Sequence, residues 1–159
     1  EVAFTPDGAK FSGGRIESPH AAWMDLGTGM TLHFEFKFDA IAEMPVLLCH
    51  GSYAFDGWFA QVLGGRFLIR TATGDAEGPP IEANRWYAVD FVHDGLFVHL
   101  AVDGRWLSQS RVPIRSRAAV QPLVLGGYEV DEPRYRFLGY LRHVRLYDTV
   151  AILPETIAQ

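Results

Sequence analysis

The clearest pattern in this chain is a strict alternation of apolar and polar residues over positions 30–39. Five apolar residues occupy every second position, with polar side chains between them: Met30, Leu32, Phe34, Phe36 and Phe38. Successive side chains of a β-strand point to opposite faces of a sheet, so a period of two places all five apolar groups on one face. The segment therefore predicts a half-buried strand.

Shorter apolar runs follow the same pattern, and turn-forming residues separate them. We predict further strands at residues 46–50, 58–63, 66–72, 86–93, 96–102, 105–111, 123–125 and 137–147. A Gly-Gly or Asp-Gly pair stands between neighbouring runs at residues 64–65, 94–95 and 103–104. Such pairs tolerate the positive φ angles of hairpin turns. Residues 73–80 gather Gly, Pro and Asp without apolar periodicity, which is typical of a surface loop.

Roughly ten to twelve short strands at this spacing indicate an all-β fold. Strand-rich chains of this kind form two antiparallel sheets packed face to face, and we predict a jelly-roll sandwich. The chain has 159 residues, which is the size of one domain. A domain of that size buries about 70% of the surface that its unfolded chain exposes. We therefore expect a single domain over residues 1–159.

Composition and charge exclude several classes of protein. Hydrophobic residues make up 48% of the chain and charged residues 21%, which is a globular and not a disordered composition. The net charge of −5 argues against nucleic-acid binding, because that binding replaces counterions with Lys and Arg side chains. No window reaches the roughly 18 consecutive apolar residues of a membrane helix, so membrane insertion is not expected. The lone Cys49 ends an apolar run and is expected to be a buried, unreactive thiol.

Three segments of the second half carry a family resemblance. The first is residues 85–89 followed by 93–95, the second is 98–104, and the last comprises 123–127 and 137–148. This series resembles the laminin-G-like branch of the concanavalin-A-like sandwiches. The resemblance implies the predicted sandwich and an extracellular or cell-surface protein, and this architecture serves lectins, pentraxins, adhesion modules and several glycosidases. Residue 1 does not begin a secretion signal, so either a signal was removed or a domain was excised. We expect a domain excised from a longer secreted protein.

The resemblance also raises the question of a metal. Relatives often carry an acidic pair where this chain has Arg142 and His143, so a calcium site that depends on such an acid is not implied. Structural Ca²⁺ stays open through backbone carbonyls and Asp39, Asp131 or Asp148. The six histidines show no short metal-binding spacing, and no other cofactor is expected.

An acidic segment provides the test for catalysis. Retaining β-glucanases of this architecture carry Glu-x-Asp-x-Glu on one strand, because residues two apart share a face and two carboxylates must flank the glycosidic bond. Here Glu129 and Asp131 keep that spacing, but Glu132 breaks it and Pro133 interrupts strand pairing. We therefore predict a domain that is not an enzyme.

Aromatic side chains in loops predict a sugar-binding site. A sugar needs an aromatic surface for its apolar face and polar groups for its hydroxyls. We place the site at the 50–58 loop and the 128–135 loop. The predicted stacking residues are Tyr53, Trp58, Tyr128 and Tyr135, and the predicted hydrogen-bonding residues are His50, Asp56 and Arg134. Trp86 opens a strand where the family has a structural tryptophan, so we expect it to pack.

The sequence leaves the ligand itself open. An acidic glycan would suit seven arginines of the second half, although solvated pairing with nearby acids is the favoured interpretation: Arg111, Arg115, Arg117, Arg134, Arg136, Arg142 and Arg145. The main hypothesis is a lectin-like module of an extracellular protein, attached to a polysaccharide-degrading enzyme. The alternative is a protein-binding adhesion domain or a structural domain that packs against a catalytic domain of the same chain.

Overall fold

The computed structural model describes residues 1–21, 24, 29–109 and 119–151. Within these residues the backbone forms thirteen strands, and Pro133–Tyr135 forms a 3₁₀ turn. The strands are β1 (Val2–Thr5), β2 (Gly8–Ser12), β3 (Ile16–Ser18), β4 (Met30–Ala40), β5 (Val46–Ser52), β6 (Asp56–Leu63), β7 (Arg66–Thr71), β8 (Asp75–Pro80), β9 (Tyr87–His93), β10 (Val98–Val102), β11 (Arg105–Gln109), β12 (Leu123–Leu125) and β13 (Leu138–Tyr147). No helix among the described residues has the length and hydrophobicity needed to cross a membrane.

The strands of the described residues form two antiparallel sheets, which confirms the predicted sandwich. The seven-stranded sheet has the order β1-β2-β13-β4-β9-β10-β11, and the six-stranded sheet has the order β3-β12-β5-β6-β7-β8. Strand β4 lies near the centre of the larger sheet, between β13 and β9. The strand with the clearest apolar alternation is thus the central strand of the larger sheet.

The core lies between the two sheets and is rich in phenylalanine. Phe34, Phe36 and Phe38 of β4 are fully buried, as their alternation predicts. The ring of Phe36 stacks 5.4 Å from Phe67 of the other sheet and 5.2 Å from Tyr87. Because each such ring contributes about 1.5–3 kcal/mol when it leaves water, this row of aromatic contacts is a main source of the attraction between the sheets.

Local turn chemistry agrees with most, but not all, of the predicted boundaries. The Gly64-Gly65 pair is the two-residue turn between β6 and β7, while the turn at 94–97 is longer than an Asp-Gly hairpin. The prediction of a surface loop at 73–80 is wrong, because β8 forms the edge of the six-stranded sheet. A sheet edge tolerates proline, and Gly78 lies so close to the Phe67 ring that a β-carbon would sit 2.9 Å from it.

The six-stranded sheet is also apolar on part of its outer face. Trp58 and Ala60 of β6 belong to the core between the sheets, so Phe59 between them points outward. There it forms a second, smaller cluster with Val46, Cys49 and Val124, and with the partly buried rings of Tyr128 and Tyr135. The candidate site lies at this outward cluster, where aromatic side chains of the loops cover it.

Candidate functional site

A cleft of about 310 Å³ opens on this outer face. We call it the tyrosine cleft, and its lining residues are Met44, Val46, Tyr53, Phe59, Gln61, Leu63, Arg70, Tyr128 and Tyr135. Strands β5, β6 and β7 supply the floor. The loop between β5 and β6 and the segment that follows β12 supply the walls, so the cleft lies where these two loops meet over the sheet.

Four aromatic rings shape the tyrosine cleft. The ring centres of Phe59 and Tyr128 are 5.3 Å apart at a steep angle, and those of Tyr128 and Tyr135 are 4.9 Å apart. Phe59 is only 3% exposed and forms the base, whereas Tyr53 is 59% exposed at the rim. A buried ring at the base and an open ring at the rim are the arrangement that a stacking ligand requires.

Hydrogen bonds fix the two loops to each other. The backbone N–H of Tyr53 donates to Oη of Tyr128 at 2.7 Å, and Ser52 Oγ donates to Oε1 of Glu129 at 2.6 Å. The Nε2 group of Gln121 donates to Ser52 Oγ at 3.2 Å. The walls are therefore held in place before any ligand arrives, which lowers the entropy lost on binding.

The hydroxyl of Tyr128 stays protonated. Burial raises the pKa of Tyr128 above its ordinary value of 10.0, and the hydrogen bond from the Tyr53 backbone offsets only part of that shift. A phenol can donate one hydrogen bond while it accepts another. Since Tyr128 Oη already accepts from the Tyr53 N–H, its own proton is available to donate a hydrogen bond.

Arg70 and Gln61 form the polar part of the floor. The guanidinium carbon of Arg70 lies 4.2 Å from the centre of the Tyr53 ring, so the arginine supports that ring from below. Arg70 Nε donates to Oδ1 of Asp75 at 3.2 Å, and Nη1 donates to Oε1 of Gln61 at 3.4 Å. These contacts fix the guanidinium plane and leave donors of its planar fork over for a ligand.

Sequence reasoning did not find Arg70, although the signal was present. The Gly64-Gly65 turn sets the register of the hairpin, and that register pairs Arg70 with Phe59. Phe67 and Ile69 fill the core, so Arg70 has to point outward beside Phe59. Pairing the two predicted strands across their turn would have identified it.

Three of the seven predicted site residues line the cleft together. These are Tyr53, Tyr128 and Tyr135. Arg134 is exposed outside the cleft lining, where its Nε pairs with Oε2 of Glu132 at 2.8 Å and its guanidinium lies 4.7 Å from the Tyr135 ring. Arg134 therefore flanks the cleft through Tyr135.

The prediction of Trp58 as a stacking surface is wrong. Trp58 is completely buried in the core, and its indole Nε1 donates to the carbonyl oxygen of Met24 at 3.1 Å. The reason is its place in β6, where it alternates with the outward Phe59. A ring on the inner face of the sheet cannot contact a glycan on the outer face.

His50 and Asp56 are also buried, which contradicts their predicted role as ligand-binding groups. His50 is fully buried and its ring stacks 5.4 Å from that of His20. Asp56 is 3% exposed, and its Oδ1 accepts the backbone N–H of Ser52 at 2.7 Å. Both side chains stabilise the hairpin that presents Tyr53.

The acids of the 129–132 segment are engaged separately. Glu129 accepts from Ser52, Asp131 faces Nε of Arg136 at 3.6 Å, and Glu132 pairs with Arg134. None of the three lines the tyrosine cleft. Pairing with nearby acids is thus observed for Arg134 and Arg136, whereas Arg111, Arg115 and Arg117 lie outside the described residues.

Two of the three candidate calcium ligands lie beside cations. Asp39 is 3.8 Å from Nζ of Lys10, and Asp131 faces Nε of Arg136 at 3.6 Å. Among the described residues, no group of three or more His, Cys, Asp or Glu side chains is placed to hold a metal ion. Structural Ca²⁺ bound through backbone carbonyls stays a prediction.

Comparison with known proteins decides the family. A family profile described as the concanavalin A-like lectin/glucanases superfamily, of the laminin G type, matches residues 10–158. The chain belongs to this superfamily. A search of curated proteins found no match to the sequence.

Solved structures share the fold at low identity. Domains LG4-5 of the mouse laminin α1 chain superpose with a TM-score of 0.65 at 18% identity, over 91% of this chain and 44% of that one. A putative carbohydrate binding protein from Bacteroides ovatus gives 0.69 at 12%, over 90% and 43%. The binding domain of botulinum neurotoxin DC in complex with SialylT gives 0.71 at 9%, over 99% and 43%. The chain thus spans less than half the length of each of these three.

Proposed function

We propose that this chain is a carbohydrate-binding, lectin-like domain that holds a glycan in the tyrosine cleft without chemical turnover. The observation that carries the proposal is the preformed cleft itself, in which the exposed Tyr53 ring lies above a fixed guanidinium and beside the Tyr128 hydroxyl. The apolar face of a sugar stacks on the ring, and its hydroxyls exchange hydrogen bonds with Tyr128, Gln61 and Arg70.

The affinity of such a site comes from a few contacts. A ring contact contributes about 0.5–1.5 kcal/mol beyond the area it buries, and a hydrogen bond about 0.5–1.5 kcal/mol. After the cost of association, this range corresponds to dissociation constants of roughly micromolar to millimolar. A domain of this strength serves by keeping a larger protein close to a polysaccharide, and not by sequestering a free sugar.

The comparisons support this choice among the functions of the superfamily. One similar structure is named a putative carbohydrate binding protein, and another is a toxin binding domain solved with SialylT. The proposal includes an extracellular or cell-surface location and attachment to an enzyme that degrades polysaccharides. The separate engagement of Glu129, Asp131 and Glu132 supports a role without catalysis.

We further propose that the ligand is an acidic sugar, and Arg70 is the cleft residue that would bind its carboxylate. The other nearby arginines, Arg134 and Arg136, are paired with acids. If a ligand carboxylate meets Arg70, the Arg70→Gln variant loses affinity for acidic glycans and keeps more of its affinity for neutral ones. An equal loss for both classes would contradict the acidic assignment.

The test is a glycan-binding screen with neutral and acidic polysaccharides, in calcium and in chelator. Tyr53→Ala is expected to weaken binding about tenfold or more, because it removes the exposed ring. Phe55→Ala is the matched control, since Phe55 is 55% exposed on the same loop but does not line the cleft.

Three outcomes would contradict the proposal. Equal loss in both variants would remove the cleft as the site. Silence across the panel together with a stable protein complex would favour the adhesion alternative. Glycan hydrolysis that Glu129→Gln abolishes would favour a retaining glycosidase.

The chelator arm of the screen tests the calcium requirement separately. Loss of binding in chelator would support a calcium-dependent site.

A further inference from the structure

The outer face of the seven-stranded sheet carries a different arrangement of basic and aromatic residues. The strand register places Tyr140 of β13 between Lys10 of β2 and Lys37 of β4. The pairing of Phe36 with Tyr87 then brings Trp86 across from Lys37. We call these four residues the cation–aromatic row, and it crosses the sheet at right angles to its strands.

The cations of this row lie over the ring faces. Lys10 Nζ is 5.4 Å and Lys37 Nζ is 4.8 Å from the centre of the Tyr140 ring. Lys37 Nζ is also 5.3 Å from Trp86, whose other neighbour is the Arg142 guanidinium at 3.7 Å. Trp86 is half-buried beneath these cations. Because the rings are already covered, this surface offers positive charge and not an open platform for stacking a neutral sugar.

The row concentrates the lysines of the chain. The sequence contains only two lysines, and both contact the Tyr140 ring. Arg142 is neutralised by Glu35 at 3.1 Å, and Lys10 has a long, exposed contact of 3.8 Å with Asp39. Among the described residues, Lys37 has no carboxylate within ion-pair distance. A chain of net charge −5 therefore keeps an unneutralised cation at the centre of this face.

We propose that the cation–aromatic row is a second binding site, for a linear anionic polysaccharide that lies across the strands. Neighbouring strands are about 4.8 Å apart, so the backbones of Lys10 and Lys37, two strands apart, are spaced by about 10 Å, and both ammonium groups lie over the ring between them. Carboxylate or sulfate groups repeated along an extended glycan can pair with both at once. A nucleic acid is a poor fit, because its affinity depends on many phosphate contacts and the row offers two lysines.

This site is independent of the tyrosine cleft, because it lies on the opposite sheet. Binding to polygalacturonate, dextran sulfate and neutral dextran separates carboxylate, sulfate and uncharged ligands. The expected result is binding to at least one anionic polymer that weakens with added salt, and none to dextran. Lys37→Gln weakens it about fivefold or more, as the loss of one charge-assisted contact requires.

Two control variants distinguish binding at this site from a nonspecific effect of charge and from glycan binding in the tyrosine cleft. Arg66→Gln removes the same charge from the other sheet and is expected to bind normally. Tyr53→Ala is also expected to bind the anionic polymer normally, so failure of one site does not imply failure of the other. The inference is overturned if Arg66→Gln and Lys37→Gln lose equal affinity, or if Lys37→Gln binds like the unmodified chain.

Lysine acetylation, read by mass spectrometry, is a second measurement. It uses the unmodified chain, so misfolding of a variant cannot affect the result. The anionic polymer is expected to slow acetylation of Lys10 and Lys37, while dextran leaves both rates unchanged. Unprotected lysines would contradict the inference. Equal protection by polyglutamate or single-stranded DNA of matched charge would contradict the assignment to a glycan.

Discussion

The two outer faces of the sandwich use the same residue types for opposite purposes. In the tyrosine cleft, rings contact rings, and Arg70 lies beneath Tyr53, where Asp75 fixes it. In the cation–aromatic row, Lys37 lies above the rings and covers them. Two loops build the cleft, whereas regular strands build the row. We infer that the order of ring and cation, and not the residue composition, decides whether a face stacks sugars or attracts anions.

The largest expected effect separates the cleft from the core behind it. Trp58→Ala should lower the free energy of unfolding by about 3–5 kcal/mol, because it empties a fully buried indole site. Tyr53→Ala, at an exposed position, should change it by less than about 1 kcal/mol. Urea denaturation measures both. A mild effect of Trp58→Ala would place Trp58 outside the core and would reopen its predicted role in binding.

This contrast also shows what could be predicted from the sequence. The fold followed from repeated alternation, and Phe34, Phe36 and Phe38 lie where the period of two places them. The site followed only in part, because the loop was predicted as 50–58, whereas the structure confines it to residues 53–55. His50 and Trp58 are thereby partners in a strand pair, and the pairing turns both inward.

The neighbours of a residue on adjacent strands could not be predicted from the pattern within one segment of the sequence. Arg70 joins the cleft only through its register with Phe59, and Lys10 meets Lys37 only through Tyr140 of a strand about a hundred positions later. Long-range pairing of this kind depends on which strands become neighbours. Local periodicity predicts strands and their faces but not their order in the sheet.

The next effect in size sharpens the account of the cleft wall. Tyr128→Phe removes the oxygen that accepts the Tyr53 N–H and the proton proposed for the ligand. We expect glycan affinity to fall about fivefold to tenfold, since a donated hydrogen bond and the order of the loop are both lost. Titration calorimetry with the best-binding glycan measures it. Unchanged affinity would show that the hydroxyl is not used.

A smaller effect on the row concerns Glu35. Burial raises the pKa of Glu35, but hydrogen bonds and charges of His143 and Arg142 outweigh it and hold the pKa below the ordinary value of 4.5. A carboxylate whose pKa is lower in the folded state stabilises the fold when the pH is above its unfolded-state pKa. That stabilisation is lost as the pH falls through the folded-state pKa. Glu35→Gln should therefore cost on the order of 1 kcal/mol near pH 7.

The pH dependence provides the check on that prediction. The stability difference between Glu35→Gln and the unmodified chain should begin to shrink as the pH falls below about 4.5, where Glu35 of the unfolded chain becomes protonated, and should be lost below the lower pKa of the folded state. Urea denaturation at pH 7 and pH 3 measures it. A difference that stays constant across this range would mean that the contacts of Glu35 with Arg142 and His143 do not stabilise the fold.

The smallest expected change concerns Cys49 beneath the cleft. Burial raises the pKa of the Cys49 thiol to about 12, and backbone hydrogen bonds of Gly51 and Glu129 offset only part of that shift. Native protein at pH 8 should therefore react with a thiol reagent only as fast as it unfolds, and the protein in urea should react at once. Rapid labelling of the native protein would show that the floor of the cleft opens to solvent.

The most direct test of the central claim is an NMR titration of ¹⁵N-labelled protein with the best-binding glycan. The account predicts that the amide shifts cluster at Tyr53, Arg70 and Tyr128, with little change at Lys37 or Tyr140 for a neutral sugar. Shifts confined to other surfaces, with these three amides unmoved, would contradict glycan binding in the tyrosine cleft.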